Sequence, residues 1–148
     1  NSLYAQLKPD LEAVAGALLD ASEFLIKENG DFLPHGAVLT SDGEVKMVGA
    51  GPDSESDLTD ATEILPVLHD ALRAFVVEGS IKAVGVAENV SITPEGQKST
   101  DAIKVLLEHE QGLTTAMYLP FSKSFLRGYT FGDIFSVTAE PEVNAWSQ

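Results

Sequence analysis

A chain of 148 residues has the size of one domain, and at that length a compact fold hides roughly 70% of the surface of the extended chain, so one core suffices. Hydrophobic residues make up 44% and charged residues 22%, which excludes a disordered composition. The 23 acidic against 9 basic side chains leave a net charge of -14, which repels phosphate backbones and anionic lipid and argues against nucleic acid and membrane surfaces as partners.

The absence of cysteine excludes disulfides, thiolate nucleophiles and Cys-ligated metal centres, and it fits a reducing cytoplasm, where the chain is expected to reside. No apolar run approaches the ~20 residues that cross a bilayer, and nothing at the start reads as a signal peptide. The first residue is Asn1 rather than Met, which leaves room for an upstream segment removed by processing.

The first periodic signal is Leu11, Val14, Ala15, Leu18, Ser22 and Leu25, a three-and-four spacing that stripes one side of a helix. Pro9 suits a first helical turn, Asp10 and Glu12 suit the positive end of the dipole, and Asn29-Gly30 is a stop signal. These bounds predict a helix over residues 9–28. Two alternating apolar runs, residues 34–39 and 44–48, flank Asp42-Gly43, a hairpin turn in which both residues accept positive φ.

Residues 49–57 are rich in Gly, Pro, Ser and acid and are expected to be loop. Within them Asp53, Glu55 and Asp57 imitate the first calcium ligands of an EF-hand, but Leu58 stands where the sharp turn needs Gly and Ile64 where a bidentate Glu is needed. Gly49-Ala50-Gly51-Pro52 fails as a phosphate cradle, because Pro52 removes a donor and acids crowd the entrance. Ile64, Leu68, Ala71, Leu72 and Phe75 then return to helical spacing, with Asp60 and Glu63 as a capping pair and Pro66 awkwardly early.

Three strand-like runs follow, residues 81–92, 101–110 and 113–121. Their linkers are too short for crossovers, so they should form an antiparallel meander. Ile103, Val105 and Leu107 share one face, and Leu106 on the other asks for partial cover there. Aromatics crowd the tail, where residues 134–138 suit either a short sixth strand or a piece of helix. The expectation is one α+β domain spanning residues 1–148: an antiparallel sheet of five or six strands with two main helices, in the order α-β-β-α-β-β-β.

That order resembles the one in roadblock and profilin-like folds, and the resemblance implies architecture and no activity. Phe32-Leu33-Pro34-His35-Gly36, Asp42-Gly43, the run 81–90, Asp101 to Val105 with Glu108-His109, and Tyr118-Leu119-Pro120-Phe121 also resemble a group of small bacterial proteins of unknown function. There an aromatic or His precedes the strand glycine, and a strand ends in Glu-His. The likeness covers about residues 20–121.

Among the candidate side chains, His35 opens a strand next to Gly36, where backbone approaches closely, and a structural role is favoured. Glu108 and Glu110 should point to one face of a strand end and His109 to the other. The two carboxylates suit a hard cation in principle, although a solvated strand end is the simpler expectation. His69 falls at the edge of the second helix's apolar stripe, with Arg73 and no acid in line for a triad. No catalytic, cofactor or metal motif is present, so no cofactor is expected.

Three functional readings follow. The favoured one is a non-enzymatic binding or protein-interaction module that self-associates through a sheet edge or through apolar surface around Phe125, Tyr129 and Phe131. The second is an acidic inhibitor or immunity-type protein for a basic partner. The third is a small-ligand binder or enzyme that uses His35 with Glu108 or Glu110, which requires those side chains to line one pocket.

Overall fold

The computed structural model describes residues 2–49 and 60–146. The acidic segment carrying Asp53, Glu55 and Asp57 and most of the Gly49-to-Pro52 run therefore lie outside the described residues. In chain order the elements are α1 (Leu3–Asn29), β1 (His35–Thr40), β2 (Val45–Val48), α2 (Ala61–Glu78), β3 (Ile81–Ile92), β4 (Thr100–His109), β5 (Thr114–Ser124), β6 (Gly128–Phe131) and β7 (Phe135–Thr138). The strands form one antiparallel sheet in the order β2-β1-β3-β4-β5-β6, and β7 also pairs with β5. The protein is thus of the α+β class, with the meander β3-β4-β5 attached to the first hairpin through β1.

Helix α1 starts six residues earlier than the expected Pro9, at Leu3. Ser2 caps it by accepting from the Ala5 N–H at 3.1 Å, and Leu7 is buried in the added turns, so apolar contact and a cap outweigh the donor that Pro9 removes. Gly30 ends the helix, its N–H donating to Ile26 O at 2.8 Å. Asp60 caps α2 through the Thr62 N–H at 3.0 Å, and Pro66 is accommodated inside the helix.

Each face of the sheet carries a core. On one face Leu11, Val14 and Leu18 of α1 pack on Leu39, Ala83, Ile103, Val105 and Leu107. On the other, Leu68 and Leu72 of α2 pack on Val38, Val84 and Val86. Two glycines let the helices approach. A Cβ at Gly85 would lie 2.7 Å from both Val14 Cγ1 and Leu18 Cδ1 on the α1 side. A Cβ at Gly36 would lie 3.3 Å from Leu68 and Leu72 Cδ1 on the α2 side and 2.9 Å from Gly85 O.

Helix α2 lies over β1, β2 and β3; on this face the end of β4 is covered by the chain after β7. Residues 139–146 turn back from the outer edge of β5 as a strap, placing Val143 in the α2-side core with Ala145 and Trp146 packed around it. Leu106 is accordingly buried, as its place in the alternation required.

The tail resolves into strand rather than helix. Strands β6 and β7 form one return arm along β5, with Ser122 opposite Thr130 and Tyr118 opposite Phe135, a one-residue shift between the two halves. The interruption falls at residues 132–134, where Gly132 N–H donates to Pro120 O at 2.8 Å.

Candidate functional site

The end of β4 holds the most tightly organised polar group. Glu108 lies on the α2 side, two residues from Leu106, and is only 3% exposed. Its Oε2 accepts from the N–H groups of Glu142 and Val143 and its Oε1 from that of Asn144, each at 2.8 Å. Asn144 has a φ of 58°, the only non-glycine residue with positive φ among those described. That left-handed residue turns three successive amides inward, making an anion-binding nest occupied by the chain's own carboxylate. Arg73 of α2 donates to Val143 O at 2.6 Å, and Lys104 Nζ lies 3.0 Å from Glu142 Oε2.

Glu108 is therefore not the solvated strand end its acidity suggested. Burial is offset by three charge-assisted bonds that the tail supplies. Glu110 does not join it: it sits exposed past the end of β4, its N–H donating to Lys82 O at 2.8 Å.

Next to this nest, Lys104 is placed between Glu142 and Glu88, at 4.0 Å from the latter. Burial pulls the Lys104 ammonium down, but its hydrogen bond to Glu142 and the nearby carboxylates outweigh that and hold it above its ordinary range. Burial raises the Glu88 carboxyl, against the pull of Lys104. His69 also faces this side; burial pushes its imidazole down against the opposing influence of Glu142, and its Nε2 has no hydrogen-bond partner among the described residues.

On the other face His109, its side chain 1% exposed, ties β4 to α1. Its Nε2–H donates to Asp10 Oδ2 at 2.9 Å, and its Nδ1 accepts from the Gln111 N–H at 3.2 Å. The His109 bond holds the Asp10 carboxyl below the usual range, with Lys82, 3.3 Å away, adding to the effect. An aspartate orienting a histidine is two thirds of a nucleophilic triad, but the ring is enclosed and its second nitrogen is committed to backbone.

His35 also lies on the α1 side. Its Nδ1–H donates to Leu33 O at 3.1 Å, and its Nε2 accepts from the Ser22 hydroxyl at 3.3 Å. Burial pushes the imidazole down, against the pull of the Leu33 and Leu18 carbonyls. Ser22 is fully buried, so the pair does not present a reachable nucleophile. His35 lines a hollow of about 500 Å³ with Leu25, Asp31, Phe32, Leu33 and Pro34. Because His35 follows the Ala37 and Leu39 side of β1 while Glu108 follows the Leu106 side of β4, the two lie on opposite faces of the sheet and share no pocket. Among the described residues no group of three or more His, Asp or Glu side chains is arranged to hold a metal.

The aromatic tail divides. Phe121 is buried, and Tyr129 and Phe131 pack partly against the α1-side core. Phe125 is 100% and Leu126 87% exposed at the turn between β5 and β6. The sequence cue for the tip was its aromatic density; the cue overlooked for the nest was Glu108 following Leu106 on the face that needed cover. No family model, curated protein or solved structure matches the chain, and the class that fold and sites define is an α+β protein with an antiparallel sheet between two helices.

Proposed function

We propose that this chain is a non-enzymatic protein-interaction module that self-associates through the tip of the β5–β6 hairpin. The observation that carries this reading is the fully exposed Phe125 beside Leu126, flanked by Lys123 and Arg127 in a stretch, residues 111–132, that contains no acid although the chain carries 23. A paired apolar tip ringed by cations suits an acidic protein surface, and such a patch is costly to leave in water. The sheet edges are less suited, because β2, β6 and β7 are each only four residues long. The scattered histidines support a non-enzymatic role, since those at 35 and 109 have both ring nitrogens engaged.

Burying a Phe or Leu side chain is worth roughly 1.5–3 kcal/mol, so two tips supply about 6–12 kcal/mol. Association costs about 4–15 kcal/mol, a sum of the same order, so a dimer is expected only as concentration rises. Light scattering coupled to size-exclusion chromatography tests this. The mass should climb toward twice the monomer with concentration, and Phe125→Ser with Leu126→Ser should hold it at the monomer. A wild-type chain that stays monomeric at millimolar concentration defeats the proposal.

A further inference from the structure

Resting on that reading, we infer that the partner is a second copy of this chain and that each tip enters the hollow at the C-terminal end of the other copy's α1. The hollow has room for a phenyl and an isobutyl group at about 500 Å³, and its walls are mainly apolar: Leu25, Phe32, Leu33 and Pro34. Leu33 leaves 47% of its surface open there.

The walls are fixed in advance. Asp31 Oδ1 accepts from the Phe32 N–H at 2.7 Å and from the Asn89 side chain at 2.6 Å. The Phe32 ring meets the His35 ring edge-on at 5.2 Å, and His35 is held by Leu33 O and Ser22. A site that needs no rearrangement loses little ordering entropy on binding.

Charge and placement fit the same occupant. Asp31 is exposed on the hollow, and the tip brings Lys123 and Arg127. The tip and the hollow occupy the same end of the molecule: the Tyr129 hydroxyl stands 2.7 Å from where a Gly30 Cβ would be, and Lys27 Nζ lies 5.6 Å above the Phe131 ring. A two-fold axis beside that end lets both tips exchange at once, giving a closed pair in which the two contacts are identical.

The chain has no cysteine, so single introduced thiols report the contact directly. Full-length Leu33→Cys and Leu126→Cys chains are mixed under mild oxidation, the linked product is mapped, and light scattering is run in parallel. The expected product is a 33-to-126 disulfide between copies, and Leu33→Arg, which opposes the incoming cations, should weaken the dimer by about tenfold or more. Predominant 126-to-126 linkage with a wild-type dimer overturns the hollow as the seat and leaves self-association through the tip standing. A dimer that Leu33→Arg does not weaken also overturns the seat. A wild-type chain that remains monomeric, with no linkage between the cysteine variants, overturns both, as does a monomer whose tip instead binds vesicles containing phosphatidylserine.

Discussion

Removing the carboxylate of Glu108 is the sharpest probe of how the tail is held. Glu108→Ala deletes three bonds to a charged acceptor, each worth about 1.5–3 kcal/mol in net terms. These do not add in full, because a released strap lets its amides reach water. The loss is then bounded by undocking the strap, which also gives up the buried Val143, about 1.5–3 kcal/mol by itself. The expected cost is about 3–5 kcal/mol, with Glu108→Gln costing about 2 kcal/mol because one carbonyl oxygen still accepts. Trp146 is the chain's only tryptophan and packs in the strap, so its emission should shift to the red under native conditions before global unfolding in urea. Amides 142–144 should lose exchange protection at the same time. A loss below ~1 kcal/mol with unchanged emission and exchange would refute the idea that the nest holds the strap.

Three further outcomes are expected. Gly85→Ala should destabilise by about 1–3 kcal/mol, read as a lower urea midpoint, since the new methyl meets Val14 and Leu18 at 2.7 Å; an unchanged midpoint would mean that α1 shifts freely. Burial lowers the pKa of His35 and His69, so the unfolded chain binds more protons below the ordinary value of 6.5, and stability should fall as pH drops from about 6.5. His35→Phe should flatten that slope between pH 7.5 and 5.5, and an unaltered slope would remove His35 from the account. Phe125→Ser with Leu126→Ser should leave thermal stability within about 0.5 kcal/mol of wild type while changing solution mass, whereas a large loss of stability would show that the tip belongs to the core.

The elements most legible in the sequence were those whose signals are local. Asp42-Gly43 marks the first hairpin, and the structure closes it with Gly43 N–H to Thr40 O at 2.9 Å. The apolar alternation of β4 and the short linkers identified the meander because neighbouring strands need no distant information to pair. The start of α1 is not legible locally, since Ser2 acts through a cap and Leu7 through burial, while Pro9 has the signature of a first helical turn.

Strand β7 is ambiguous for another reason: its apolar–polar alternation lasts only four residues, all of them exposed, so neither face is buried and its distant partner β5 defines it. The nest was beyond reach of local pattern because 34 residues separate Glu108 from Glu142. The divided fate of the aromatics followed from position along the hairpin: Tyr129 and Phe131 lie beside α1, whereas Phe125 sits past the ends of both strands.

The offset in the return arm limits how that edge of the sheet could be extended. An incoming extended segment that aligned with β6 would fall out of phase by one residue on reaching β7, so neither half offers the long uninterrupted ladder on which fibres grow. Stacking copy upon copy is thereby discouraged at this margin, where Phe135 and Val137 stand open.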